Sequence, residues 1–360
     1  MGSNAAGRKS SPLELMILGA LRYTGRGWTF DDLEEATGIS EETHRRFYHQ
    51  FIIVGSTILF KKYVVQPTNN EEAQQHMHEM EQAGLHGAVG STDATHVVIE
   101  KCAHRLTNNH LGGKMKHTAR TYNITVNHRR RILSTTTGHP SRWNDKTLVR
   151  FDKFVSGIHD GSILEDVEFE LLERNEEGDI VTIKYKGAWL IVDNGYLRWA
   201  VTVPPIKISS DQTELRWSQW MESIRKDVEC CFGIMKGRWR VLKSGIRLHG
   251  VDAADRVWMT CCALHNWLLE IDGLDEHWEN GVPSSWEGES GQFRAGDTPF
   301  AINRLYDTSA MGAGIDRIHN GTPDTSAMGA GTAPNINVNT DEGLSQTSNN
   351  TRIVRNLSLI

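Results

Sequence analysis

The stretch Arg225-Lys226-Asp227-Val228-Glu229-Cys230-Cys231-Phe232-Gly233-Ile234-Met235-Lys236-Gly237-Arg238-Trp239-Arg240 reads as a helix whose acids stand among bases. Met221, Ile224, Val228, Phe232 and Met235 recur three or four residues apart, with Leu215 and Trp220 upstream, the pattern of an amphipathic helix facing a core. Glu229 lies off that stripe, on a face shared with Glu222, Arg225, Lys226 and Lys236. Two readings follow. Either the face is solvated and Arg225 and Glu229 form an ordinary ion pair, or the carboxylate is directed toward a site.

Two further acids favour a site. Gly90 to Ile99 reads as a strand with Asp93 in its middle, and Ala188 to Tyr196 as an apolar strand ending at Asp193. Aspartate is depleted in strands, so both positions call for a reason. A shared magnesium ion, which takes carboxylate, water and phosphate oxygens, is the economical one.

The local motifs carry a resemblance. Asp93-Ala94-Thr95-His96, Asp193-Asn194-Gly195-Tyr196, Glu229 followed by Phe232-Gly233, Lys236 to Arg240, and Cys262-Ala263-Leu264-His265-Asn266 resemble, in order and context, the PIF/Harbinger transposases of the DDE superfamily and their domesticated relatives. Ala94 stands where that family usually has glycine. The resemblance implies an α/β fold with a ribonuclease H-like mixed sheet flanked by helices, and Asp93, Asp193 and Glu229 as catalytic, metal-binding carboxylates for Mg2+ or Mn2+. It implies a DNA endonuclease or transposase that hydrolyses phosphodiester bonds at transposon ends and transfers strands by a two-metal mechanism. Its partners would be double-stranded DNA, a Myb-like accessory protein and further copies of itself, in the nucleus, or in the cytoplasm until partnered. The competing expectation is a domesticated DNA-binding or partner-recruiting protein that keeps the fold and no longer cuts.

Residues 86–274 are assigned to the nuclease domain. Residues 1–12 are expected to be a disordered leader, 13–66 an all-α, helix-turn-helix-like region, 67–85 a linker helix and 275–360 a disordered tail that repeats Asp-Thr-Ser-Ala-Met-Gly-Ala-Gly from Asp307 and from Asp324. In the helix-turn-helix-like region Ser40 is a candidate N-cap, and Thr43, His44, Arg45, Arg46 and His49 would face a DNA groove. The alternative is a structural helical cap. No apolar run is long enough to cross a bilayer. Five cysteines, four of them in two adjacent pairs, make no disulfide framework.

Charge is segregated although the chain carries a formal −6. From Lys101 to Asn144 there are nine Lys and Arg and no Asp or Glu, which points to a polyanion. Lys114, Lys116, Arg120, Arg129, Arg130 and Arg131 from this stretch, with Lys236, Arg238 and Arg240, are the expected phosphate contacts. Asp145, between the first and second catalytic acids, either adds a metal ligand or caps the helix that follows it.

Overall fold

Three amino-terminal helices open a computed structural model that describes residues 11–112, 116–175 and 177–272. The expected tail and all but two residues of the expected leader lie outside the described residues, as does Lys114. Described residues through Leu268 belong to one compact unit, and Leu269 to Asp272 are the described part of a second, Leu269–Leu344.

The helices are α1 (Leu13–Arg26), α2 (Phe30–Thr37) and α3 (Glu41–Val54). A capping box starts α2: Thr29 Oγ1 accepts from the Asp32 N–H, and Asp32 accepts from the Thr29 N–H at 2.7 Å. Ser40 occupies the N-cap position of α3, but its side chain makes no capping bond. Glu34 does that work, accepting from the Glu41 N–H at 2.7 Å. One π-helical turn, Gly55–Leu59, joins α3 to α4 (Phe60–Tyr63). Gly55 is required there, because a Cβ would lie 2.4 Å from Thr260 on the last helix. After α5 (Asn70–Gln82) the chain enters the sheet.

The sheet comprises β1 (Ala88–Val98), β2 (Ala119–Val126), β3 (Ile132–Thr135), β4 (His139–Pro140), β7 (Trp189–Ile191) and β8 (Thr202–Val203). The short α6 (Thr107–His110) lies between β1 and β2; α7 (Asp145–Leu148), α8 (Lys153–His159) and a separate hairpin, β5 (Glu168–Arg174) with β6 (Ile180–Lys186), lie between β4 and β7. Spatial order is β3-β2-β1-β7-β8, with β4 also on β2. β1 pairs antiparallel with β2 and parallel with β7, so the sheet is mixed. Every residue of β2 and β7 is buried, as expected of strands covered on both faces.

Helices cover both faces. α9 (Gln212–Arg238), begun by Asp211 accepting from the Thr213 N–H at 2.7 Å, is followed by α10 (Arg240–Ser244) and α11 (Val251–Ile271). Val228, Cys231 and Met235 of α9 and Val257, Trp258 and Cys261 of α11 share one core with Val97, Tyr122 and Ile124 of the sheet and with Tyr23, Leu33 and Tyr48 of the amino-terminal helices. On the other face Phe154 and Val155 of α8 and Met77 of α5 pack on Val89 and Leu190.

A register irregularity between Ala88 and Gly90 decides which way β1 points its side chains. Ala88 packs with Met221 and Ile224 of α9, and Val89 packs on the α8 side. Strict alternation would keep even-numbered residues toward α9, yet it is Val97 and Ile99 that join the α9 core. The irregularity therefore exchanges the two faces, a known use of bulges beside functional sites. Asp93 inherits the α9 side. Gly90 permits the close pairing, since a Cβ there would sit 2.2 Å from the Val126 carbonyl oxygen.

His265 and Asn266 are fully buried on α11. His265 Nε2 meets the Arg130 carbonyl at 3.0 Å, and Asn266 donates to the Tyr63 and Ile132 carbonyls at 2.8 Å. Burial holds His265 down at about 4. His76 on α5 is part-buried beside Asn127 and is likewise held at about 4 by burial. An unfolded histidine takes its proton near 6.5, so the unfolded chain binds more protons between pH 6.5 and 4. The stability from excluding those protons is present above about 6.5 and is lost as pH falls toward 4, on the order of 3 kcal/mol for such a shift at a fully buried site. Urea unfolding at pH 7 and pH 4.5 is expected to show a smaller loss for His265→Gln than for the unaltered chain. An equal loss in both would remove His265 as a source of the slope.

Candidate active site

The pairing of Ser91 with Ile191 in the parallel β1–β7 ladder, carried two residues on, brings Asp93 level with Asp193. Past the end of β7 the chain turns at once: Asp193 Oδ1 accepts from the Gly195 N–H at 2.6 Å. The turn is anchored by Tyr196, whose hydroxyl donates to Asn123 Oδ1 at 2.5 Å, while Asn123 donates to Asp152 Oδ2 at 2.6 Å. Asp152 in turn caps α8 through the Phe154 and Val155 N–H groups. This buried chain of hydrogen bonds fixes the Asp193 turn against β2 and α8.

Asp145 joins the two strand acids. Asn144, not Asp145, caps α7, accepting from the Thr147 N–H at 2.9 Å, which corrects the cap reading of Asp145. A Cβ placed on Gly195 would lie 2.8 Å from Asp145 Oδ2 and 2.9 Å from Asp193 Oδ1, so the two carboxylates flank the same glycine. The Asp93 carboxyl is pushed up to about 6, first by burial and then by the charges of Asp193 and Asp145; the Ala94 N–H and Arg225 oppose the rise.

Glu229 approaches from α9, and Arg225 stands between it and Asp93. Arg225 was expected on the outer face of the helix; it is 8% exposed. Its Nη2 donates to Glu229 Oε1 and to Glu222 Oε1, each at 2.7 Å, and its Nη1 lies 3.4 Å from Asp93 Oδ2. Lys236, seven residues beyond Glu229, donates to Thr95 Oγ1 at 2.8 Å, and burial lowers its pKa. Helical spacing thus aligns Arg225, Glu229 and Lys236 along Asp93 and Thr95 of β1.

Other expected phosphate contacts are spent inside the fold. Arg120 is bound by both carboxylate oxygens of Asp255. Arg129 pairs with Glu79 at 3.1 Å, Arg130 with Asp227 at 3.7 Å, and Arg131 donates to the Tyr63 carbonyl at 3.3 Å. His44 is buried against Thr37 and turned away from the outer face of α3, where Arg45 and Arg46 pair with Glu42. Lys116, Lys226, Arg240 and Lys243 are exposed, and Arg238 is half-buried.

Asp93, Asp145, Asp193 and Glu229 supply the hard oxygens that a magnesium-type ion takes, and a bound cation would offset both the burial of the Asp93 charge and the added charges of Asp193 and Asp145. In donor chemistry the residues fit. Among the described residues, however, no group of three or more His, Cys, Asp or Glu is arranged to hold an ion as the side chains stand.

An acid on β1 and another just past the end of its parallel neighbour β7, with a helix across the same face of a mixed sheet, define a ribonuclease H-like fold. The DDE superfamily endonuclease family model matches residues 92–266. Protein ALP1-like of Arabidopsis thaliana is 22% identical over 275 residues, 75% of this chain. The chain spans 64% of that relative's length. No solved structure matches. No described helix is long and apolar enough to cross a membrane.

Proposed function

We propose that the chain is a divalent-metal-dependent DNA endonuclease of the PIF/Harbinger transposase type, with Asp93, Asp193 and Glu229 as its catalytic carboxylates and Asp145 as a further ligand. The observation that carries this reading is the register of β1 and β7, which sets Asp93 beside Asp193 with Asp145 across the Gly195 turn. Magnesium or manganese held by these acids would supply Lewis acidity at a scissile phosphate and a nucleophile at neutral pH. The chain's own cations do the rest. Lys236 of α9 binds Thr95, two residues along β1 from Asp93, and Lys226, Arg240 and Lys243 add exposed positive charge on and after the same helix. They would hold the phosphodiester backbone without reading sequence. A nuclear site of action, a Myb-like accessory protein and self-association belong to the same reading.

The test is nicking of supercoiled plasmid and of duplexes bearing the element's ends, by the full chain with Mg2+ or Mn2+ and with EDTA. Metal-dependent nicks support the proposal. Binding of DNA with no nick under any metal would favour the silent, DNA-binding protein instead. Within this reading Arg45 and Arg46 lie on the exposed face of α3, where they could reach DNA once released from Glu42. Changing both to Ala is expected to weaken binding to the element's ends several-fold more than binding to random duplex, because base contacts carry specificity. Equal weakening on both duplexes would make them phosphate contacts, and no weakening would leave α3 a structural cap.

A further inference from the structure

We infer that Arg225 is a built-in counter-cation that competes with the divalent ion for Asp93 and Glu229, so that metal loading requires its guanidinium to leave. This rests on the reading of those acids as metal ligands.

The contacts define the competition. Asp93 has both oxygens engaged: Oδ1 accepts from the Ala94 N–H at 2.7 Å, and Oδ2 faces Arg225 Nη1 at 3.4 Å. Glu229 Oε1 is taken by Arg225 Nη2. An ion drawing on Asp93 Oδ2 and Glu229 Oε1 would need the oxygens that one guanidinium already holds, and any ion between the two acids would meet its positive charge at close range.

The arginine is also held in a way that lets it yield. Its contact with Asp93 is long for a charge-assisted hydrogen bond, so it is weaker than the two 2.7 Å bonds to glutamates on its own helix. Its Nε is buried with no hydrogen-bond partner, an unmet donor that burial makes costly. Glu222, three residues before Arg225, is part-exposed on α9. It gives the guanidinium a second anchor toward which to withdraw. Retreat along α9 would expose Asp93 Oδ2 and Glu229 Oε1 without moving the strand or the helix.

The experiment is Mn2+ titration of the folded full-length chain, read by calorimetry and by the Mn2+ electron paramagnetic resonance signal, for the unaltered protein, Arg225→Gln, Arg225→Lys and Asp93→Asn. Removing the charge in Arg225→Gln is expected to tighten Mn2+ binding about tenfold or more and to enlarge the rise in melting temperature that Mn2+ produces. Arg225→Lys, which keeps a charge but cannot span two carboxylates in a fork, should fall between them. It also serves as the variant of record should Arg225→Gln not unfold cooperatively. Unchanged or weaker Mn2+ binding in the arginine variants, with binding still lost in Asp93→Asn, would overturn the competition while the metal site stands. Binding that Asp93→Asn does not alter would overturn both.

Discussion

Asp93→Asn is expected to leave supercoiled plasmid uncut, lowering metal-dependent nicking by about a thousandfold or more while DNA affinity and cooperative unfolding persist. The amide keeps the size of the side chain and its acceptor oxygen for the Ala94 N–H, so the strand pairing has no reason to change. What it removes is the charge on a buried carboxylate that also feels those of Asp193 and Asp145. Asp193→Asn and Glu229→Gln should act alike. Asp145→Asn should cost less, because Asn144 rather than Asp145 starts α7 and the substitution spares both strand acids. Full nicking by any of the first three variants would remove that residue from the catalytic set.

Asp255→Ala should damage stability most. Asp255 on α11 takes both arms of Arg120 and the Tyr122 hydroxyl, the latter at 2.8 Å, at a place where Arg120 is 8% exposed and Tyr122 fully buried. Removing the acid leaves a cation and a phenol without their partner inside the α11–β2 interface, and breaking a buried pair in this way costs about 3–5 kcal/mol. Urea unfolding measures it. Arg120→Met, which withdraws the charge with the arginine, should cost less in the Asp255→Ala background than alone, and additive losses would mean the two groups are not coupled. The same pair explains why a basic stretch free of acids was misleading at Arg120: its counter-charge is 135 residues away in sequence.

Strands and helices were legible where their cause is local. Tyr122, Ile124 and Val126 alternate with polar residues along β2, Ile132 to Thr135 forms its partner, and the segments on either side of Gly178 pair as a hairpin, each on a pattern visible in the local sequence. The order Asp93, Asp193, Glu229 was legible as a motif. The surroundings of those acids were not. Nothing in helical spacing says that Arg225 points at a strand rather than at water, since that depends on where β1 lies against α9. Trp217 is the buried tryptophan of α9, packing on Trp189 and Val203, whereas Trp220 is part-buried and donates to the Ala83 carbonyl at 2.7 Å. The reading of Asp145 as a cap failed for a different reason: two side chains with equal capping ability stand next to each other, and the fold used Asn144.

The irregularity at Ala88 to Gly90 makes the chemistry of this chain depend on a count. Were the same residues paired without the irregularity, plain alternation from Ala88 would carry every side chain beyond it to the other side. Asp93 would turn from α9 toward α8, and Val97 and Ile99 would leave their core with it. The candidate site and half a hydrophobic core are thus tied to the same one-residue step in register, so neither can drift without the other, and an insertion or deletion between this step and Asp93 should be far less tolerated than substitutions on the exposed hairpin.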